Sequence, residues 1–129
     1  MSATPIDLFT SFVNLRPDGQ AHAGPQTFDP GRDGWHVMTF HVETDADVHA
    51  DHWEIHSDAD ELVSCLTGGI RMYFRPEQEG EGEEEVKLTA GTAVVVPRGR
   101  WHRIELDAPS DIMSFTVLRG SRLEGRAGS

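Results

Sequence analysis

Cysteine is nearly absent from this 129-residue chain. Cys65 stands alone, which excludes an intrachain disulfide and any zinc cluster built on several thiolates. A domain of this size without a disulfide suits a reducing compartment, and a cytoplasmic protein is expected. Basic residues are scarce as well. Lys and Arg number 11 against 22 Asp and Glu, a formal net charge of −11, so the cationic clusters that nucleic acid or an anionic membrane requires are missing. No run approaches ~18 consecutive apolar residues, the length that spans a bilayer. Met1 to Val13 carries no Lys or Arg and no long apolar stretch, so it does not read as a secretory signal. After residue 35 no segment keeps a 3.6-residue apolar period, which argues against a βαβ fold.

The acidity that is present is uneven. Glu77, Glu79, Glu81, Glu83, Glu84 and Glu85 crowd one glycine-broken stretch. Like charges at that density repel, and the stretch reads as a solvated loop.

Length bounds the chain to one ordinary domain. Residues 1–34 are interrupted by Pro5, Pro17, Pro25 and Pro30 and read as an arm that packs on the main body. Within the arm, the apolar residues between Asp7 and Leu15 fit a short helical turn slightly better than a strand, and Pro17-Asp18-Gly19 stops it. From Trp35 the texture changes to short β-type runs near 35–43, 49–56, 60–67, 69–75, 84–89, 92–97, 100–106 and 111–118. About eight short strands at spacings of roughly 8–12 residues predict an all-β sandwich or barrel over 35–118. The remainder, 119–129, is rich in Gly, Ser and Arg and reads as a flexible tail.

Alternation along strands indicates which side chains turn inward. Ile70, Met72 and Phe74 share a face opposite Arg71, Tyr73 and Arg75. His102 shares a face with Ile104 and Leu106, and Glu61 with Val63 and Cys65. A histidine and a glutamate on apolar faces require partners.

The densest set of candidate ligands lies between Asp51 and Glu61. His52, Glu54 and His56 occupy one strand face, and Glu61 follows one tight turn later. Side chains at 54 and 56, roughly 6.6 Å apart along a strand, can converge on one ion. His52 stands about twice as far from His56 and would need a bulge to join them. On this segment alone, an exposed polar face with Trp53 and Ile55 in the core fits as well as a ligand cluster. The other histidines carry less: His22 lies in the arm, His36 and His41 take opposite faces of one strand, and His49 reads as a strand edge. Trp53 and Trp101 fall on faces opposite the candidate ligands and read as packing residues.

A second segment shifts the balance. Gly91, Pro97, Gly99 and His102 stand at the spacing Gly, five residues, Pro-x-Gly, two residues, His; His56, Glu61 and Gly68 stand at the spacing His, four residues, Glu, six residues, Gly. Together the two segments resemble the paired signatures of the cupins, in particular small single-domain bacterial cupins, over about residues 35–118. The chain departs from that pattern at three places: Glu54 replaces the first histidine of His-x-His, Leu106 replaces the closing asparagine, and Val48 stands where the pattern has a leading glycine.

The resemblance implies a double-stranded β-helix, or jelly-roll barrel, with a short N-terminal arm. It also implies one divalent metal ion held by His56, Glu61 and His102. Two histidines and a carboxylate suit Fe, and with added oxygen donors Mn, Ni, Co or Zn. Glu54 stands as either a fourth ligand or a general base beside the ion. His52, Cys65, Met72, Phe74 and Ile104 are expected to line the pocket, with Met113 or Phe115 supplying further wall or core. The function expected from the resemblance is a mononuclear metalloenzyme acting on a small organic molecule, oxygenase-like or isomerase/lyase-like. The alternative is a non-catalytic sensor or carrier of a small molecule or metal. A homodimer is expected, with Phe9, Phe12 and Val13 of the arm pairing across its interface.

Overall fold

The computed structural model describes residues 3–126. In chain order its strands are β1 (Ser11–Leu15), β2 (Ala21–Pro25), β3 (Trp35–Val42), β4 (His52–Ile55), β5 (Glu61–Thr67), β6 (Gly69–Phe74), β7 (Glu84–Thr89), β8 (Thr92–Val96), β9 (His102–Leu106), β10 (Ser110–Thr116) and β11 (Arg122–Gly125). One 3-10 turn, Asp45–Val48, follows β3. No helix among the described residues is long and apolar enough to cross a membrane.

The chain is all-β. It folds as two antiparallel sheets, ordered β2-β1-β3-β10-β5-β8 and β11-β4-β9-β6-β7. The jelly roll therefore takes the form of two facing sheets. Period-two burial sets the facing sides, as in β6, where Ile70, Met72 and Phe74 are buried between half-exposed neighbours. They meet Val42, Val63, Cys65, Val96 and Ile112 of the opposing sheet in one apolar cluster. Ile70 and Met72 are fully buried, and truncating either to Ala costs about 2–5 kcal/mol. Phe12, Met38 and Leu118 form a second cluster, and Phe40 packs against both.

Four readings of the sequence need correction. Residues 11–15 form a strand, not a helical turn, because Val13, Asn14 and Leu15 pair with β3 as well as with β2. The 49–56 run starts as a strand only at His52, and His49 caps the 3-10 turn in the left-handed region at φ 51°. In β10 the inward set is Ser110, Ile112, Ser114 and Thr116, so Met113 and Phe115 turn away from the interior. Last, the tail does not simply fray: Arg122–Gly125 adds to the edge of β4 in register, and Arg119 pairs with Asp33. Residues 127–129 of that tail lie outside the described residues.

Candidate metal centre

Two turns bring the candidate ligands together. Pro97-Arg98-Gly99 between β8 and β9 is tied to the turn between β4 and β5: Gly99 N–H donates to the His56 carbonyl at 2.8 Å, and Arg98 N–H to the Asp60 carboxylate at 2.8 Å. Gly99 sits at φ 80°, a conformation that costs glycine little and other residues more. The clamp holds β9 beside β4 with Glu54 directly opposite His102. Glu61 comes from the other sheet, at the start of β5 opposite Val96.

Glu54, His56, Glu61 and His102 thus meet between the two sheets, each offering a ligand atom within 4.8 Å of the others. His56, Glu61 and His102 are 4, 5 and 2% exposed. Glu54 keeps 39% of its side chain exposed, toward the cavity that opens over the cluster. The Glu61 carboxylate oxygen lies 3.2 Å from His56 Nε2 and 3.0 Å from His102 Nε2, and Glu54 Oε1 lies 3.3 and 3.6 Å from the same nitrogens. These contacts are short enough for hydrogen bonds, yet His56 Nε2, His102 Nε2 and Glu61 Oε1 are all buried without an aligned partner. The four ligand atoms crowd one small volume between the sheets. Ligands about 2.1 Å from one ion stand about 3.0 Å apart at right angles and about 3.4 Å apart in a tetrahedron, which matches the observed separations. The donor set fits a divalent ion.

The outer nitrogens of both imidazoles are occupied. His56 Nδ1 meets Ser121 Oγ at 2.7 Å, and His102 Nδ1 meets the Arg100 carbonyl at 3.0 Å. A carbonyl only accepts, so Nδ1 of His102 carries a proton, and in the neutral imidazole Nε2 is then the nitrogen free to ligate. Without an ion, burial alone would lower both imidazole pKa values. Glu54 and Glu61 outweigh it, raising His56 to about 9 and His102 to about 10. Burial likewise opposes ionisation of Glu54, but His102 and His56 hold it at about 2. The same two imidazoles lower Glu61. The cluster is charge-paired in the absence of metal and loses those protons when an ion binds.

A cavity of about 410 Å³ lies over the cluster. At about 30 Å³ per water in the liquid it holds on the order of a dozen waters, so it is sized for an organic ligand. His52 and Ile104 are on its wall; His52 Nδ1 is turned to Asp51 at 2.7 Å. Cys65, Met72 and Phe74 are not on the wall. They lie in the closed apolar cluster between the sheets, because β5 and β6 fill that end of the interior with one another's side chains. The wall is built instead from Phe28 of the arm, Met38, Phe40 and Val42 of β3, Ile112 of β10 and Leu118 beyond it. Sequence reading also missed Ser121. It lies in a segment whose composition signals only disorder, and nothing local marks one serine there as a partner for a histidine sixty-five residues earlier.

Trp53 and Trp101 lie on the outer face of the five-stranded sheet. The Arg75 guanidinium sits 4.4 Å from the Trp101 ring and 5.9 Å from Trp53. Arg103 is buried on that face, 4.2 Å from the Tyr73 ring and 5.3 Å from Trp53, and its guanidinium pairs with Glu83 and Glu105. Part of the acidic loop is therefore fastened to the sheet, with Glu77 bound to Arg100 at 3.0 Å.

No family profile matches the sequence, and no curated protein matches it. Solved structures do match. A cupin-2 domain protein from Shewanella frigidimarina is 22% identical with a TM-score of 0.50, over 64% of this chain and 70% of that one. A cupin superfamily protein from Desulfitobacterium hafniense is 16% identical with a TM-score of 0.51, over 67% and 69%. Bacillus subtilis oxalate decarboxylase, a protein with Mn(II) centres, is 17% identical with a TM-score of 0.52; the match covers 70% of this chain but 23% of that one. At these identities the likeness is one of fold. The chain has the fold of a small cupin domain.

Proposed function

We propose that this chain is a mononuclear metal-dependent cupin that acts on a small organic molecule in the cavity between its sheets. The observation that carries this reading is the convergence of three buried, unpartnered donors, His56 Nε2, His102 Nε2 and Glu61 Oε1, at the floor of a ligand-sized cavity. Buried polar atoms without partners are rare in native proteins and call for a ligand. A divalent ion there, Fe, Mn, Ni, Co or Zn, would supply Lewis acidity or a position for dioxygen. Glu54 is the carboxylate of the cluster that stays open to the cavity. It either completes the ligand set or accepts a proton from the bound molecule. The two-histidine, one-carboxylate set leans toward oxygenase chemistry, with isomerase or lyase chemistry as the other outcome.

Metal analysis of protein purified without chelators or a metal-affinity column tests the first step, and one equivalent per chain is the expected result. Loading with Fe(II) and following oxygen uptake against a panel of small molecules tests the second. Stoichiometric metal with no turnover on any panel member would favour the non-catalytic sensor or carrier. In the same reading the protein is a homodimer in a reducing compartment. Exposed apolar side chains support this at Phe9, Leu15 and Trp35, whereas Phe12 is turned into the core. A monomer by sedimentation at high concentration would overturn the dimer.

A further inference from the structure

The cavity that opens on the cluster has an unusual balance of charge. Its walls are mostly apolar, with Phe28 stacked on Phe40 at a centroid distance of 6.4 Å and 14° between ring planes. Val42, Val48, Ile104 and Ile112 continue the same surface. Among the described residues that line it, Arg103 is the single Lys or Arg. Its guanidinium is committed elsewhere, between Trp53 and Tyr73 and against Glu83 and Glu105 on the outer face of the sheet. The carboxylates in the lining are Asp47, Glu54 and Glu61. Two of them cancel the charge of a divalent ion, and Asp47 adds one negative charge at the wall. The whole chain carries −11. An anion that entered would give up its hydration and find no cation beyond an ion already neutralised, so its desolvation would go uncompensated.

From this distribution we infer that the cavity selects an uncharged molecule with an apolar, flat body that reaches the floor through a hydroxyl or carbonyl oxygen, and that it rejects carboxylate anions of the same size. The inference rests on the metal-site reading above and narrows it. Phe28 and Phe40 recognise the body by stacking and area burial. Apart from the cluster itself, the polar residues in the lining are Asp47, His49, His52, Arg103, Ser114 and Ser121, and none of them offers an uncommitted cation from Lys or Arg. Orientation then follows, with the oxygen down and the hydrocarbon against the aromatic wall.

The test compares two probes of matched shape, 4-methylphenol and 4-methylbenzoate, by calorimetric titration of the full chain with and without one equivalent of zinc. The phenol is expected to bind the zinc form at least about tenfold more tightly than the benzoate, a modest share of the cost of burying an unpaired charge. Val48→Lys, which places a cation at the cavity wall, should raise benzoate affinity by about tenfold or more and leave the phenol less changed. Equal or tighter benzoate binding to the wild type overturns the inference, and so does the absence of phenol binding to both forms at millimolar concentration. Failure to retain zinc would instead sink the metal reading. The ranking on the metal-free protein then still decides whether the cavity excludes anions.

Discussion

His102→Ala removes the ligand whose position depends most on the fold, and its effect can be worked through. His102 is almost fully buried, is held through Nδ1 by the Arg100 carbonyl, and places Nε2 at 3.0 Å from Glu61. Partners that merely orient a ligand are worth about 10–100-fold in metal affinity, so losing the ligand itself should cost at least the upper end of that range. With zinc at about 1,000 times the wild-type Kd, binding stabilises the fold by about 4.1 kcal/mol. A 100-fold weaker site under the same conditions stands at about ten times its Kd, and RT ln 11 is about 1.4 kcal/mol. For a domain of this length about 1 kcal/mol moves Tm by roughly 3–5 °C. Zinc should therefore raise Tm by roughly 12–20 °C in the wild type and by no more than roughly 4–7 °C in the variant. The assay is thermal unfolding with and without zinc, read as the difference within each protein, since the metal-free variant is itself destabilised. His102→Gln serves if the alanine variant does not fold. His41→Ala is the control, because His41 is exposed and pairs with Asp111 and Glu43 instead of facing the cavity. A variant that keeps the full zinc shift and a stoichiometric ion would refute the site as assigned.

Three further predictions follow from the same structure. Ser121→Ala frees His56 Nδ1 and should weaken zinc by about tenfold, with recovery in Ser121→Thr; an unchanged constant in a chelator competition would show that the contact is incidental. In the metal-free protein, His56 and His102 are raised from 6.5 to about 9 and about 10. Their pairing therefore stabilises fully below 6.5 and is lost as pH rises through those values, whereas Glu54, lowered from 4.5 to about 2, contributes above 4.5 and loses its contribution toward pH 2. Since only neutral imidazole ligates, zinc uptake at pH 7 should release about two protons, and the zinc-induced Tm gain should grow from pH 6 to pH 9; calorimetry in buffers of different ionisation enthalpy that finds no release would contradict this. Gly68 lies at φ +84°, where a Cβ would sit 2.3 Å from Ser110 Oγ and 2.4 Å from the Pro109 carbonyl, whereas Gly91 at φ +85° has nothing within 4 Å. Gly68→Ala should cost more than about 2 kcal/mol by urea unfolding and Gly91→Ala about 1; equal costs would show that the close approach at Gly68 is relieved by small shifts.

Much of the fold was readable because its signal is local. The runs after Trp35 lie between turn residues, and the alternation in 60–67, 69–75 and 100–106 indicates which of their side chains face in. Parity also placed Glu61 and His102 on inner faces. Where both faces of a segment are partly apolar, parity loses its force. In β10 the inward residues are Ser110, Ile112, Ser114 and Thr116 while Met113 and Phe115 face outward, the reverse of what hydrophobicity suggests.

The single cysteine excluded an intrachain disulfide before any fold was known. Composition and strand spacing then determined an all-β chain, and the two spaced segments determined which side chains could ligate. The tertiary structure decided what no local pattern encodes. Closure of the β4–β5 and β8–β9 turns on each other put Glu54 opposite His102, and pairing of Arg122–Gly125 with β4 brought Ser121 to His56. Packing of the arm on β3 set Phe28 against Phe40, so the wall of the cavity comes from parts of the chain far from the ligands. Several of those contacts, Glu54 with His102 and His56 with Ser121 among them, join segments far apart in the chain, and their energy comes from burial and pairing that exist only after the sheets have closed.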